Sequence, residues 1–186
     1  MKGAGGVRAG VPFPRLTAMA ETADLLEPQI PALRRYAYAL MRDHAAADDL
    51  VQDTLERALS RWSSRRPDGE LRAWLFTILR NLHIDARRQA LRRGPHGTID
   101  ESDLPGTAAH QEEALEVHDV LAALDQLPEE QKSLLLLVGV EDFSYDDAAR
   151  ILGLPIGTVM SRLSRARQKL RSIVETGRVT LLRRVK

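Results

Sequence analysis

Arg162, Arg165, Arg167, Lys169 and Arg171 lie within ten residues, interleaved with Val159, Leu163, Ala166 and Leu170 at spacings of four, three and four. That spacing puts the apolar residues on one face of a helix and the cations elsewhere. The opposite face shows Met160, Ser161, Ser164, Arg165 and Lys169. Arginine forks bond phosphate oxygens and guanine edges, so the chemistry on offer is recognition of a polyanion. A bland helical hairpin explains the apolar spacing equally well, but it does not explain the density of cations.

The elements around this stretch are built to position it. A short helix over 145–152, which Ser144 can cap through Asp147, ends at Gly153. Glycine suits the left-handed residue at a helix end. Leu154 can fill the space between helices, and Pro155 starts a longer helix that continues to about Ser172. Helix, tight glycine turn and longer basic helix make a helix-turn-helix, whose second helix fits a major groove.

Charge is strongly segregated within a net +1. Residues 61–93 hold nine basic and three acidic residues, 112–150 hold eleven acidic and two basic, and 156–186 hold nine basic and one acidic. Two basic blocks around an acidic one suggest two surfaces that meet a polyanion, although ordinary solvated helix faces would look similar.

Upstream, Ile30, Leu33, Ala37, Leu40 and Met41 form one helical face that starts near Pro28 or Pro31. A second helix is expected over 46–62, with Leu50, Val51, Leu55, Ala58, Leu59 and Trp62 on its stripe. A third runs from Glu70 to about Leu91, buried through Trp74, Leu75, Ile78, Leu79 and Leu82. Gly94, Pro95, Gly97, Pro105 and Gly106 then break the pattern. Val117, Val120, Leu121, Leu124 and Leu127 resume it, and Pro128 restarts the chain before the apolar run Leu134–Val138.

The expected fold is all-α: two small helical domains joined by a flexible linker. The expected divisions are a disordered extension over 1–25, a first domain over 26–93, a linker over 94–110, a second domain over 111–175 and a basic tail over 176–186. Cysteine is absent, which excludes disulfides and cysteine-ligated zinc within these residues, and no histidine lies three or four residues from another. No cofactor or metal is expected. The apolar runs are too short to span a bilayer, and residues 1–19 lack the apolar core of a secretory signal, so a soluble cytoplasmic protein is expected.

The segment LPEEQKSLLLLVGVEDFSYDDAARILGLPIGTVMSRLSRARQKL resembles domain 4 of the extracytoplasmic-function sigma factors, most specifically in GTV-x-SR-x-x-RAR. AAADDLVQDTLERALSRW is similar to the core-polymerase-binding helix of their domain 2, and LRAWLFTILRNLHIDARRQALRR to the helix and loop that open the promoter. The resemblance covers about residues 28–175.

It implies a transcription initiation factor with no catalytic residue of its own. Asp48, Asp49, Gln52 and Asp53 would meet the core polymerase, chiefly a coiled coil of its beta-prime subunit, with the beta subunit also a partner. Asn81 stands where the family places a base reader of the −10 element, and asparagine offers both a donor and an acceptor. Arg80, Arg87, Arg88, Arg92 and Arg93 would hold its phosphates and the displaced strand. Met160, Ser161, Arg162, Ser164, Arg165, Arg167 and Lys169 would meet the −35 duplex. Many relatives carry a basic residue at the place of Met160, which leaves the −35 preference open. Trp74 is assigned to the core. The resemblance also implies an anti-sigma partner and control of a stress or envelope regulon.

Two other readings remain. A stand-alone helix-turn-helix regulator would explain 144–170 but leave the N-terminal pattern idle, and no heptad dimerisation helix is visible. An enzyme acting on nucleic acid would need a phosphate loop, a metal-spaced carboxylate pair or a Ser-His constellation, and none is visible.

Overall fold

The structure, a computed structural model, describes residues 21–65, 70–93 and 119–184, with side chains of the last helix described to 176. Helix α1 covers residues 21–26 and leads through a 3-10 turn, Glu27–Gln29, into α2, Ile30–Met41. Then come α3, His44–Ser60, a 3-10 turn at Trp62–Ser64, and α4, Leu71–Arg93. Residues 119–125 form α5, followed by α6, Glu129–Gly139, α7, Tyr145–Leu152, and α8, Ile156–Arg184. The all-α expectation holds for the described residues.

Local chemistry sets the boundaries. Pro31 sits in the first turn of α2, where a missing N–H costs nothing. Asp43 caps α3, its carboxylate accepting the Ala46 N–H at 2.8 Å. α6 follows Pro128 and opens with Glu129 and Glu130, acids that suit the positive end of a helix.

The apolar stripes meet as spaced. Leu33, Tyr36, Ala37 and Leu40 of α2 pack with Ala47, Leu50, Val51 and Ala58 of α3 and with Leu75, Phe76 and Leu79 of α4. Leu134 and Leu137 of α6, Ile151 of α7 and Val159, Leu163 and Ala166 of α8 form the C-terminal part. The two parts share one continuous core, because α6 lies on α2 and α7 on α4. Phe76 and Phe143 meet edge to face at 4.9 Å across this seam, and Tyr36 packs on Phe76 at 5.2 Å.

Several expectations change. Residues 21–25, expected within a disordered extension, are helical, and Thr22 and Leu26 are buried. α8 runs through Arg184, past the expected end near Ser172, so residues 176–184 are helix where a tail was expected. Leu59 and Val120, placed on apolar stripes, are about half exposed. The linker expected over 94–110 lies outside the described residues.

Candidate nucleic-acid interface

The α7–α8 turn is built from three local devices. Ser144 Oγ accepts the Asp147 N–H at 3.0 Å and fixes the start of α7. Gly153 takes φ 64°, a left-handed conformation that would strain a side-chain-bearing residue. Leu154 then packs against the core and sets the angle at which α8 leaves. With Val159, Leu163 and Ala166 fully buried beneath it, α8 presents Met160, Ser161, Ser164, Arg165, Arg167 and Lys169 to solvent. Ser161 Oγ is engaged within the helix, donating to the Thr158 carbonyl at 3.1 Å. Arg162 stands apart from these: it is half-buried and its guanidinium bonds Glu130 of α6.

The second basic face is the C-terminal half of α4. Asn81, Arg87, Arg88 and Arg92 are exposed and Arg80 is half-buried. The Arg93 side chain lies outside the described residues. Arg80, Asn81, Arg87 and Arg88 line a groove of about 660 Å³ together with Arg57 and Arg61 of the α3 end. Its other wall is Glu129, Glu130 and Ser133 of α6. Arg57 and Arg61 were not singled out from the sequence. Their membership comes from the return of α3 past α4, which spacing within one helix does not reveal.

Asp48, Asp49, Gln52 and Asp53 share an exposed face of α3. Asp48 is paired with Arg34 at 2.9 Å, and Gln52 donates to Glu56 at 3.0 Å. Glu56 extends the same acidic face by one turn, a position readable from its spacing of four. Trp74 is half-buried, packs on the core and meets Trp62 edge on at 6.1 Å, as expected of a core residue.

The seam between the two parts holds charges that spacing does not predict. Glu141, whose side chain is 0% exposed, accepts from Arg35 Nε and Nη2 at 2.8 Å each and from Arg72 Nη2 at 2.9 Å. The bond to Glu141 holds the Arg35 guanidinium above its ordinary pKa. Tyr36 and Ser133 share a hydroxyl bond of 2.6 Å, and burial pushes the Tyr36 phenol up. Buried Lys132 donates to the Leu40 carbonyl at 3.2 Å and to Asp125 at 2.6 Å. His83 Nε2 meets Glu129 at 3.0 Å, and because a carboxylate only accepts, that nitrogen carries the proton. Burial pushes the Glu129 carboxyl up, but the His83 bond and the charges of His83, Arg87 and Lys132 outweigh it and hold it below its usual range.

No helix among the described residues is long and apolar enough to cross a membrane, and no cluster of His, Asp or Glu among them could hold a metal.

Comparison with known proteins fits these two basic faces. Residues 26–80 match the family model for the Sigma2 domain of PhyR, and residues 118–170 match Sigma-70, region 4. The chain is 45% identical to the ECF RNA polymerase sigma factor EcfG of Rhodopseudomonas palustris over 150 residues, 78% of this chain and 80% of that one. The chain belongs to the extracytoplasmic-function sigma factors. This sigma factor is also 36% identical to SigL of Mycobacterium tuberculosis, over 84% of its own length and 90% of the relative's. Its fold matches the co-crystal structure of the sigma factor RpoE in complex with the anti-sigma factor NepR from Bartonella quintana. That match has a TM-score of 0.70 at 35% identity and covers 83% of this chain and 97% of that one. Membership makes the chain a non-enzymatic factor of transcription initiation.

Proposed function

We propose that this sigma factor binds core RNA polymerase through α3, opens and holds the −10 element on α4, and reads the −35 element with α8. The domain 2 role falls to residues 26–93 and the domain 4 role to 111–175. The observation that carries the reading is two basic helix faces, one on α4 and one on α8, in a chain whose third exposed face, on α3, is acidic. Polyanionic DNA suits the first two and arginines of a polymerase helix suit the third.

On α3, Asp48, Asp49, Gln52 and Asp53 meet the beta-prime subunit. On α4, Asn81 holds an unpaired base, and Arg80, Arg87, Arg88, Arg92 and Arg93 hold phosphates and the displaced strand. On α8, Met160 packs on a thymine methyl, while Ser161, Arg162, Ser164, Arg165, Arg167 and Lys169 meet the duplex. An anti-sigma factor is a further partner, since RpoE of Bartonella quintana is solved in complex with one. The chain works in the cytoplasm, where polymerase is, on a stress or envelope regulon.

Run-off transcription with purified core polymerase on a promoter library tests the reading. Transcripts should appear only with the sigma factor present and should share two upstream elements. Asn81→Ala should slow bubble formation, seen by permanganate footprinting, more than it weakens the closed complex. Arg165→Ala should cost about 1–3 kcal/mol of binding and relax preference at one −35 position if it reads a base. Absence of any sigma-dependent transcript would overturn the assignment.

A further inference from the structure

We propose that the free chain closes on itself: the acidic first turn of α6 occupies the two arginine faces that promoter DNA would use, and the buried Glu141 carboxylate locks it there. The inference rests on the reading above that α4 and α8 meet DNA.

Three observations converge on it. First, two consecutive acids each hold an arginine of a different DNA face. Glu129 accepts from Arg87 of α4 at 3.0 Å, and Glu130 bonds Arg162 of α8. Carboxylate oxygens there take the donors that phosphate oxygens would take. Second, α6 walls the groove that holds Arg80 and Asn81, so a base or strand entering it meets Glu129 and Ser133. Third, the lock is specific. Glu141 is sealed from solvent and its cationic partners, Arg35 and Arg72, both come from the N-terminal part. Packing of Phe76 on Phe143 would hold the parts together without aiming acids at arginines.

Geometry requires the closed form to part before both elements are read. Elements centred near −10 and −35 stand about 25 base pairs apart, about 85 Å of duplex at about 3.4 Å per pair. A compact body of this chain length has a radius of gyration of about 16 Å. The α3 acids, in contrast, remain exposed in the closed form. Polymerase can therefore dock first, and DNA faces become available as the seam parts.

The full chain carries no cysteine, so the pair Ser60→Cys and Ser172→Cys, at exposed positions outside the seam, accepts spin labels uniquely. Double electron–electron resonance should give one narrow distance in the otherwise unaltered chain. The distribution should lengthen and broaden in Glu141→Gln and in the pair Glu129→Gln with Glu130→Gln. A fluorescent random-sequence duplex at low salt is then titrated with the same proteins. Both variants should bind about tenfold tighter than the unaltered chain, the factor expected if the open form is about a tenth of the population. The pair Asp24→Asn with Asp119→Asn removes the same charge as the acid pair, from exposed positions away from the seam, and should change binding far less. The acid pair is partly exposed, so it serves if Glu141→Gln fails to fold, which circular dichroism reports.

Equal duplex affinity in the unaltered chain and the folded variants would overturn the closed form, as would a duplex-bound chain that keeps the narrow distance. Normal run-off transcription alongside either result would leave the promoter-binding reading intact. Loss of sigma-dependent transcription with the unaltered chain would overturn that reading and this inference with it.

Discussion

The α7–α8 hairpin and the seam between α2, α4 and α6 hold their shapes by opposite means. The hairpin is built from neighbours. Ser144 caps three residues ahead, Gly153 turns the chain, and the buried stripe of α8 repeats every three or four residues. The seam is built from strangers: Arg35 and Glu141 are 106 residues apart, Tyr36 and Ser133 are 97, and Arg72 and Glu141 are 69. The hairpin buries almost only apolar atoms, whereas the seam buries a carboxylate, an ammonium group and a phenol. A buried ion pair adds little net stability against an apolar replacement, yet removing one side of it is expensive. The hairpin is thus suited to be rigid in every state, and the seam to exist in one arrangement or not at all.

The strongest way to break this contrast is to leave Glu141 buried without a cation. Replacing Arg35 and Arg72 together by alanine should lower stability by about 3–5 kcal/mol. Arg35→Ala alone should cost less, because Arg72 remains bonded to the carboxylate. Urea unfolding at neutral pH measures both. A double variant within about 1 kcal/mol of the unaltered protein would mean that water reaches Glu141, and the seam would be no more demanding than an exposed ion pair.

A smaller perturbation should stay local if the hairpin is self-contained. Ser144→Ala removes the acceptor for the Asp147 N–H and should cost about 1 kcal/mol. Amide hydrogen exchange should report lost protection in the first turn of α7 and none around Lys132 or Tyr36. Spread of the effect into α2 would show that the two regions are one cooperative unit.

The same contrast decides what could be read before folding. Cap, glycine turn and buried stripe are local signals, so the helix-turn-helix and its exposed cations were legible residue by residue. The acidic face of α3 was legible for the same reason. Glu141 was not, because nothing near it in sequence supplies a cation and its spacing alone fits a solvated loop. Arg162 and Arg87 were legible as cations, but their pairing with Glu130 and Glu129 depends on how α6 crosses α4 and α8. Arg57 and Arg61 join the α4 groove only through tertiary contact. The helix over 21–26 was missed because the glycine- and proline-rich residues before it masked Leu26, which finds its burial against the bundle.

The least of the expected effects is a pH dependence that separates the seam from the hairpin. Glu129 is held below the ordinary carboxylate value of 4.5, since the His83 bond and the charges of His83, Arg87 and Lys132 overcome its burial. A carboxyl with a depressed folded-state pKa stabilises the fold above its unfolded value, and that contribution is lost as pH falls through the folded value. Its side chain is 25% exposed and Arg87 is more exposed still, so solvent screens part of the attraction and the effect stays modest. The stability difference between the unaltered chain and Glu129→Gln should therefore be level from neutral pH down to about pH 5 and shrink below 4.5. In parallel, the labelled pair at Ser60 and Ser172 should begin to report longer distances in that same acid range. Glu129→Gln should show the longer distances already at neutral pH, with a weaker acid response. A difference that grows as pH falls would reverse the sign required of a depressed carboxyl and would remove Glu129 from the seam's electrostatics.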